Sequence, residues 1–470
     1  MTNQPFGKDL TTGSMPKLLL QFALPILIGN LLSTGYSVIN AIWVGNLLGQ
    51  DAVAAVAVSF PIFLAMVALC SGATLATSIL VSKAYGAKDY ARIQQIVNNS
   101  WSLALGIIVI VIAAGLPLSE TLLGWLGTPE NIMPLAAGYL KLTFISFAGM
   151  YLSFLVSSIL RGIGDTVIPL VCILLSTVMN AVLDPLLILG MGPLPDMGLN
   201  GAAFASLLSS GTALLMGLLY LKRKYKEEPI NPSGFRLETP IIREIVTIGL
   251  PSFVQQMLVS MGYAMITVFV TSFSAASIAA FGIASRLDSI AAMPAMAMMM
   301  AVSTLTAQSI GAGKPERIKH ILKWGILMNI PVILVISAGC VLFPEGIMRV
   351  FVKEADVIQA GVGYLRIVGA GYLFFILFYV SNGILNGAGK TLSTLVITFV
   401  SLCVVRIPLA GLLSHTGLGL NGVWYAIVIS FAVTTISSLL YYGSGRWNKG
   451  TLGRESSVPN NGKGLSNEPS

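Results

Sequence analysis

Long runs of apolar residues, separated by short polar segments, dominate the 470-residue chain. Twelve runs are long enough to cross the roughly 30 Å core of a bilayer, at about 1.5 Å of helix per residue. This pattern predicts an all-α integral membrane protein with twelve transmembrane helices. The runs lie at residues 18–43, 54–82, 99–118, 135–159, 167–191, 199–221, 247–271, 278–308, 322–343, 360–384, 392–414 and 419–442.

The second half of the chain repeats the first half in order. The turn Leu-Arg-Gly-Ile-Gly-Asp-Thr at 160–166 recurs at 385–391 as Leu-Asn-Gly-Ala-Gly-Lys-Thr. Each repeat holds six spans, an even number, so both copies share one orientation and enclose a path between them. We therefore expect two six-helix lobes related by an axis along the membrane normal. Other matches are Pro25 with Pro251, Gly35-Tyr36 with Gly262-Tyr263, Tyr139-Leu140-Lys141 with Tyr364-Leu365-Arg366, and 198–201 with 419–422.

Polar segments set the expected domain boundaries. We predict a cytoplasmic N-terminus at 1–17, an N-lobe at 18–221, a basic cytoplasmic linker at 222–246 and a C-lobe at 247–442. The polar tail at 443–470 is rich in Ser, Asn and Gly, a composition typical of disorder.

Charge is scarce, and its placement predicts the orientation. Hydrophobic residues make up 55% of the chain, charged residues 10%, and the mean hydropathy is +0.84, so the chain is unsuited to being soluble. Most Lys and Arg side chains fall on the side of the linker, and basic loops stay in the cytoplasm. The prediction is a multi-pass protein of the cell membrane with both termini cytoplasmic. Its net charge of +8 is explained by this orientation, so it does not indicate binding to a nucleic acid.

Motifs for cofactors and for enzymatic chemistry are missing from the sequence. The four cysteines lie in apolar runs at wide spacing and predict packing residues rather than a metal site or disulfides. The Gly-rich turn at 387–391 lacks the leading glycine of a nucleotide-binding loop, which argues against ATP. Only two histidines occur, and no catalytic motif accompanies them. We expect no cofactor and no enzyme.

Asp184 is the strongest candidate for an ion-coupling residue. A carboxylate inside a span costs about 2.5–3.5 kcal/mol on insertion scales, so it needs a partner, a cavity or a proton. Asn180 lies one helical turn before it on the same face, and Pro185 removes a backbone donor beside it. This chemistry suits a proton switch or a Na⁺ site. The alternative is a structural acid that hydrogen-bonds two helices together.

Asp288 is the second acid within a span. It follows Arg286 by two residues, so the two side chains do not share a helix face. Asp288 has no counterpart in the second span, which favours a specialised role, but a polar network that stabilises the eighth span explains it equally well. In the eleventh span Arg406 stands roughly where the first lobe has Asp184, so the lobes differ in charge at related depths.

The sequence resembles the multidrug and toxic compound extrusion (MATE) family over about residues 14–445. The resemblance rests on Tyr36 with Val44-Gly45, on the turn Arg-Gly-x-Gly-Asp-Thr at 161–166, and on Asn180 with Asp184-Pro185. It is strongest to the prokaryotic branch that carries its coupling residues in the N-lobe. It implies export of amphipathic, often cationic compounds in exchange for protons or sodium ions.

The resemblance also brings further residues to the coupling site. Asn40 stands where this branch usually has an aspartate, and Ser206 stands where a hydroxyl commonly faces the site. An amide at position 40 cannot titrate, so coupling would fall on Asp184 alone, with a poorer sodium site. Its alternative role is an interhelical hydrogen bond. We assign the substrate cavity to Tyr36, Tyr263, Gln256, Arg286, Asp288 and Asn382.

The sequence as a whole predicts a monomeric secondary antiporter for amphipathic or cationic drugs or toxic metabolites, driven by H⁺ or Na⁺. Two alternatives remain open at this point. A flippase for lipid-linked saccharides would share the fold superfamily, but such proteins commonly carry more charge in the cavity. A membrane-embedded enzyme is the remote alternative.

Overall fold

A computed structural model describes residues 9–191, 195–224 and 236–448, and the elements in these ranges are helical. Twelve segments are long and apolar enough to cross a membrane. The predicted fold class is confirmed, with six spans in each of two lobes. The N-lobe contains α1 (Met15–Leu48), α2 (Gln50–Gly86), α3 (Tyr90–Trp125), α4 (Met133–Gly162), α5 (Val167–Ile188) and α6 (Leu199–Lys224).

The C-lobe repeats this order with two additions, a short helix between the ninth and tenth spans and a π-helical turn within the eleventh. Its elements are α7 (Thr239–Thr271), α8 (Ala275–Gly311), α9 (Arg317–Leu342), α10 (Pro344–Phe351), α11 (Ala355–Gly387), α12 (Thr391–Phe399), a π-helical turn (Val400–Arg406), α13 (Ile407–Ser414) and α14 (Leu420–Gly443). A short 3₁₀ turn (Arg446–Asn448) follows. The π-helical turn makes α12 and α13 one continuous span.

Several helices extend beyond the apolar runs, because local capping and not only hydropathy sets their ends. α3 begins at Tyr90, nine residues before the apolar run, since the Asp89 side chain accepts a hydrogen bond from the Arg92 amide. The sequence analysis missed α10. It is only eight residues long and amphipathic, which gives no spanning signal, and Pro344 begins it.

The internal repeat reappears as matched close contacts in the two lobes. Gly138 on α4 packs against the Asn200 side chain, and Gly363 on α11 packs against Asn421 in the same way. Gly201 lies against the Leu187 carbonyl, where an added Cβ would be 2.6 Å from the oxygen. Glycine is required there because any side chain would displace the backbone of α5.

The lobes meet at the end that carries the 222–246 linker, which we call the linker side. Gly311 of α8 packs against the Lys83 carbonyl of α2, and Gly86 of α2 packs against the Gln308 carbonyl of α8, both too closely for a Cβ. Lys83 Nζ donates to the Ala388 carbonyl at 3.0 Å. An Arg92–Glu244 ion pair at 2.8 Å adds to this contact. The two lobes are therefore closed against each other on the linker side.

A segment before α1 fills the remaining space at this junction. Leu10 is 1% exposed, and its amide donates to Gln308 Oε1 at 3.2 Å. Gln308 Nε2 in turn donates to the Gly162 carbonyl of α4 at 3.0 Å. Arg317 and Lys314 donate to the carbonyls of Leu10 and Thr11. One glutamine thus joins α8, the N-lobe and the N-terminal segment.

Parts of four predicted domains lie outside the described residues. They are 1–8 of the N-terminus, 192–194 of the N-lobe, 225–235 of the linker and 449–470 of the tail, the last being most of the segment for which disorder is expected.

Candidate functional site

Asp184 lies on α5 with none of its surface exposed. Its Oδ2 atom accepts hydrogen bonds from the Asn40 amide at 2.9 Å and from the Tyr36 hydroxyl at 3.1 Å. Both donors come from α1, four residues apart and so on one helix face. Asn40 Nδ2 also donates to the Tyr36 hydroxyl at 3.1 Å. The three side chains form a closed triangle that ties α1 to α5, and we call it the Asp184 cluster.

Two buried oxygens at this triangle have no hydrogen-bond donor among the residues that the structure describes. They are Oδ1 of Asp184 and Oδ1 of Asn180, one turn earlier on α5. Pro185 has no amide hydrogen, so it cannot donate to the Ala181 carbonyl. Buried acceptors without donors are rare in proteins, and oxygen atoms are the ligands that hard cations prefer. The cluster therefore offers acceptors to a proton, a small cation or a water molecule.

Ser206 of α6 completes the cluster. Its hydroxyl lies beside that of Tyr36 and donates to the Ala202 carbonyl at 3.1 Å. The structure thus brings together Asp184, Asn40 and Ser206, with Asn180 adjacent. Asn180 makes no direct hydrogen bond to Asp184. With an amide at position 40, the cluster carries one formal negative charge.

Asp288 occupies a separate cluster in the C-lobe. It is 2% exposed, and each of its carboxylate oxygens accepts a hydrogen bond from α11: Oδ1 from Tyr372 at 2.6 Å and Oδ2 from Tyr364. Arg286 is exposed, on another face of α8. Unlike Asp184, Asp288 has a donor on each oxygen, which fits an acid that holds α8 and α11 together.

The six residues assigned to a substrate cavity lie on several helices of both lobes. Tyr36 belongs to the Asp184 cluster and Asp288 to the C-lobe interior. Asn382 is 3% exposed on the linker side of α11, and its Oδ1 has no donor. The other three, Gln256, Tyr263 and Arg286, are exposed.

Sequence reasoning missed the tyrosines that bind Asp288 and the bond from Tyr36 to Asp184. Tyr364 and Tyr372 stand eight residues apart, slightly more than two helical turns, so they share one face of α11. That spacing was a readable signal. The Tyr36 bond had none, because it depends on how α1 packs against α5.

Metal and disulfide chemistry find no support among the residues described. No group of three or more His, Cys, Asp or Glu side chains there is placed to hold a metal ion. The four cysteines are free, and Cys70, Cys172 and Cys340 are buried.

The comparisons with known proteins agree with this architecture. The MatE family model matches twice, at residues 25–186 and 251–412, once in each lobe. The Bacillus subtilis protein named Probable multidrug resistance protein YpnP is 36% identical over 440 residues, covering 93% of this chain and 97% of the relative. Multidrug export protein MepA of Staphylococcus aureus is 26% identical over 428 residues, covering 90% and 92%.

A solved structure shows the same fold over almost the whole chain. It is described as the outward-facing conformation of a multidrug resistance MATE family transporter of the MOP superfamily. The TM-score is 0.86 at 25% identity, covering 95% of this chain and 99% of the other. The double match, the identity to relatives and the shared fold lead to one conclusion: this chain belongs to the MATE family.

Proposed function

We propose that this protein is a secondary antiporter of the cell membrane that exports amphipathic or cationic drugs in exchange for H⁺ or Na⁺. Its relatives are named for multidrug resistance and multidrug export, which supports drug export over the transport of lipid-linked saccharides. In this proposal the linker side faces the cytoplasm, following the basic residues there, and the protein works as a monomer.

The observation that carries the proposal is the asymmetric bonding of Asp184. One carboxylate oxygen binds two donors from α1, and the other is buried without a donor in the described part of the chain. A buried charge of this kind requires a compensating proton or cation. Asp184 is therefore the residue whose charge depends on the driving ion.

Coupling follows from the strength of the two hydrogen bonds to α1. Hydrogen bonds to an ionised carboxylate are roughly twice as strong as neutral ones. When a proton or Na⁺ neutralises Asp184, the bonds from Tyr36 and Asn40 weaken, and α1 is held less tightly against α5. The ion can thereby change the shape of the N-lobe and release a bound substrate. Alternating access then requires the linker-side contacts to part and the opposite side to close.

The lobes are in contact on the linker side, which in this proposal faces the cytoplasm. This contact supports assigning the conformation as open to the outside. The fold matches a neighbour described as outward-facing with a TM-score of 0.86. Drug would then leave toward the outside as the ion enters from the same side.

The test is transport of a fluorescent cationic dye in proteoliposomes, under an imposed pH gradient, a Na⁺ gradient, or neither. We expect one gradient to drive wild-type transport, and Asp184→Asn to lose it by about a hundredfold, since the amide cannot take a proton or balance a cation. The isosteric amide still accepts a bond from Tyr36, so dye binding should persist.

The matched control is Asp51→Asn, at an exposed acid in the first turn of α2. It should transport like the wild type. Gradient-driven transport that survives in Asp184→Asn would refute the coupling role, and dye movement that needs neither gradient would refute antiport.

A further inference from the structure

Arg406 is a buried guanidinium in the middle of the C-lobe. It ends the π-helical turn in the eleventh span and is 5% exposed. Its Nε donates to Ser430 Oγ of α14 at 2.7 Å, and its guanidinium lies over the Phe431 ring, 4.7 Å from the centroid. These contacts fix the orientation of the side chain. π-helical turns are uncommon and occur frequently at functional sites.

The positive charge of Arg406 lacks an ion-pair partner within residues 9–191, 195–224 and 236–448. No Asp or Glu oxygen there lies within 4.0 Å of it. Asp288 is in electrostatic range, but its two oxygens already bind the tyrosines of α11. The two terminal nitrogens make no hydrogen bond to any of the described residues. A buried charge left in this state attracts a counter-ion.

Arg406 stands close to the position in the C-lobe that corresponds to Asp184, one residue away when Pro185 is aligned with Pro408. Asp184 directly precedes Pro185 in the fifth span, and Arg406 stands two residues before Pro408 in the eleventh. Asp184 is bonded to Tyr36 of the first span. Arg406 lies within electrostatic range of Tyr263, the repeat counterpart of Tyr36 in the seventh span. The repeat thus places side chains of opposite charge near related positions of the two lobes.

We propose that Arg406 forms an anion site that takes a carboxylate, with Ser430 and Phe431 holding the guanidinium in place. Tyr263, which is 38% exposed, lies within electrostatic range of Arg406. The carboxylate comes from an amphipathic zwitterionic substrate or from a small free anion. This extends the proposed function, because a substrate carboxylate matters only if the protein transports such compounds.

The test is dye binding to purified full-length protein in lipid nanodiscs, measured by fluorescence anisotropy without any gradient. The probes are a rhodamine with a free carboxyl group and its methyl ester, which differ by that one charge. We expect Arg406→Gln to weaken the acid by at least about tenfold and to leave the ester unchanged, since only the acid has a charge to pair. Arg366→Gln, at an exposed arginine of the same lobe, is the matched control and should change neither.

Two further measurements separate the sources of the anion and protect against a misfolded variant. Arg406→Lys keeps the charge and should keep the preference for the acid. Acetate at constant ionic strength should raise the melting temperature of wild type, but not of Arg406→Gln, if a free anion occupies the site. Selective loss of the acid without an acetate effect assigns the site to a substrate carboxylate.

The inference is overturned if both dyes bind equally well to wild type and acetate has no effect, or if Arg406→Gln weakens both dyes alike. Neither result bears on coupling at Asp184, because no gradient is present.

Discussion

The most informative residue in the Asp184 cluster is an amide. Asn40 donates to Asp184 Oδ2 at 2.9 Å, at the position where the sequence resemblance implies a second aspartate. A donor there partly satisfies the buried carboxylate without adding charge. Two carboxylates at that distance would instead repel unless a cation or a proton lay between them. The amide at residue 40 therefore keeps the negative charge of the cluster low, and with it the attraction for a cation.

Asn40→Asp should make transport depend more strongly on a cation. The new carboxylate lies beside Asp184 and near the unpartnered Asn180 oxygen, which gives Na⁺ the charge and oxygen ligands that it lacks in the wild type. We expect Na⁺ stimulation of dye transport in proteoliposomes to rise by about tenfold, the factor that corresponds to 1.4 kcal/mol of added binding.

The matched control is Asn46→Asp, at an exposed asparagine of the same helix. It should leave the Na⁺ dependence as in wild type. Equal stimulation in the two variants would mean that the cation does not bind between residues 40 and 184.

At the scale of elements, much of the fold could be predicted from the sequence. A spanning helix must bury its own backbone bonds and present about twenty apolar residues, so hydropathy located all twelve spans. Asp184 was predictable for the same reason, since an acid among apolar residues is costly. The partners of Asp184, the π-helical turn before Arg406 and the short helix α10 arise from packing or short-range geometry. Those leave no periodic signal in the chain.

The junction of α2 and α8 shows how small residues fix the packing of helices. Gly311 of α8 lies so close to the Lys83 carbonyl that a Cβ would overlap it. Gly311→Ala should therefore force the lobes apart on the linker side and destabilise this conformation by about 1–3 kcal/mol, as overpacking commonly does. Cysteine-accessibility labelling from the linker side should increase, and the melting temperature should fall.

Gly282→Ala provides the comparison on the same helix, because a Cβ at Gly282 meets nothing within 4 Å. It should be neutral or slightly stabilising, since alanine is the better helix former. If the two alanine variants label and melt alike, close packing at Gly311 does not hold the lobes closed.

At the scale of the whole molecule, the N-terminal segment contributes to the contact between the lobes on the linker side. We call this contact, with the segment that fills it, the seal. Burial tends to raise the pKa of Asp9, but hydrogen bonds from Thr11 and the charges of Lys314 and Lys88 lower it below its usual 3.8. Because the pKa is lowered in the folded protein, the stabilisation by Asp9 is fully present above the unfolded pKa of 3.8 and is lost as the pH falls through the lowered value. Asp9 therefore stays charged near neutral pH, and a pH change in that range does not loosen the linker-side contact through this residue.

Gln308 connects the three parts of the seal, so Gln308→Leu should shift the protein toward a conformation with the lobes parted on the linker side. The leucine leaves the Leu10 amide and the Gly162 carbonyl without a partner, at about 1–3 kcal/mol for each buried group. Spin labels at Ala91 and Lys319, which are exposed at the starts of α3 and α9, would report the distance between the lobes in a background without native cysteines. We expect a longer distance to become populated.

Gln359→Leu, at an exposed glutamine of α11, should keep the wild-type distribution. An unchanged distribution in Gln308→Leu would mean that the glycine contacts alone close the junction, and that the buried glutamine serves only to fill it.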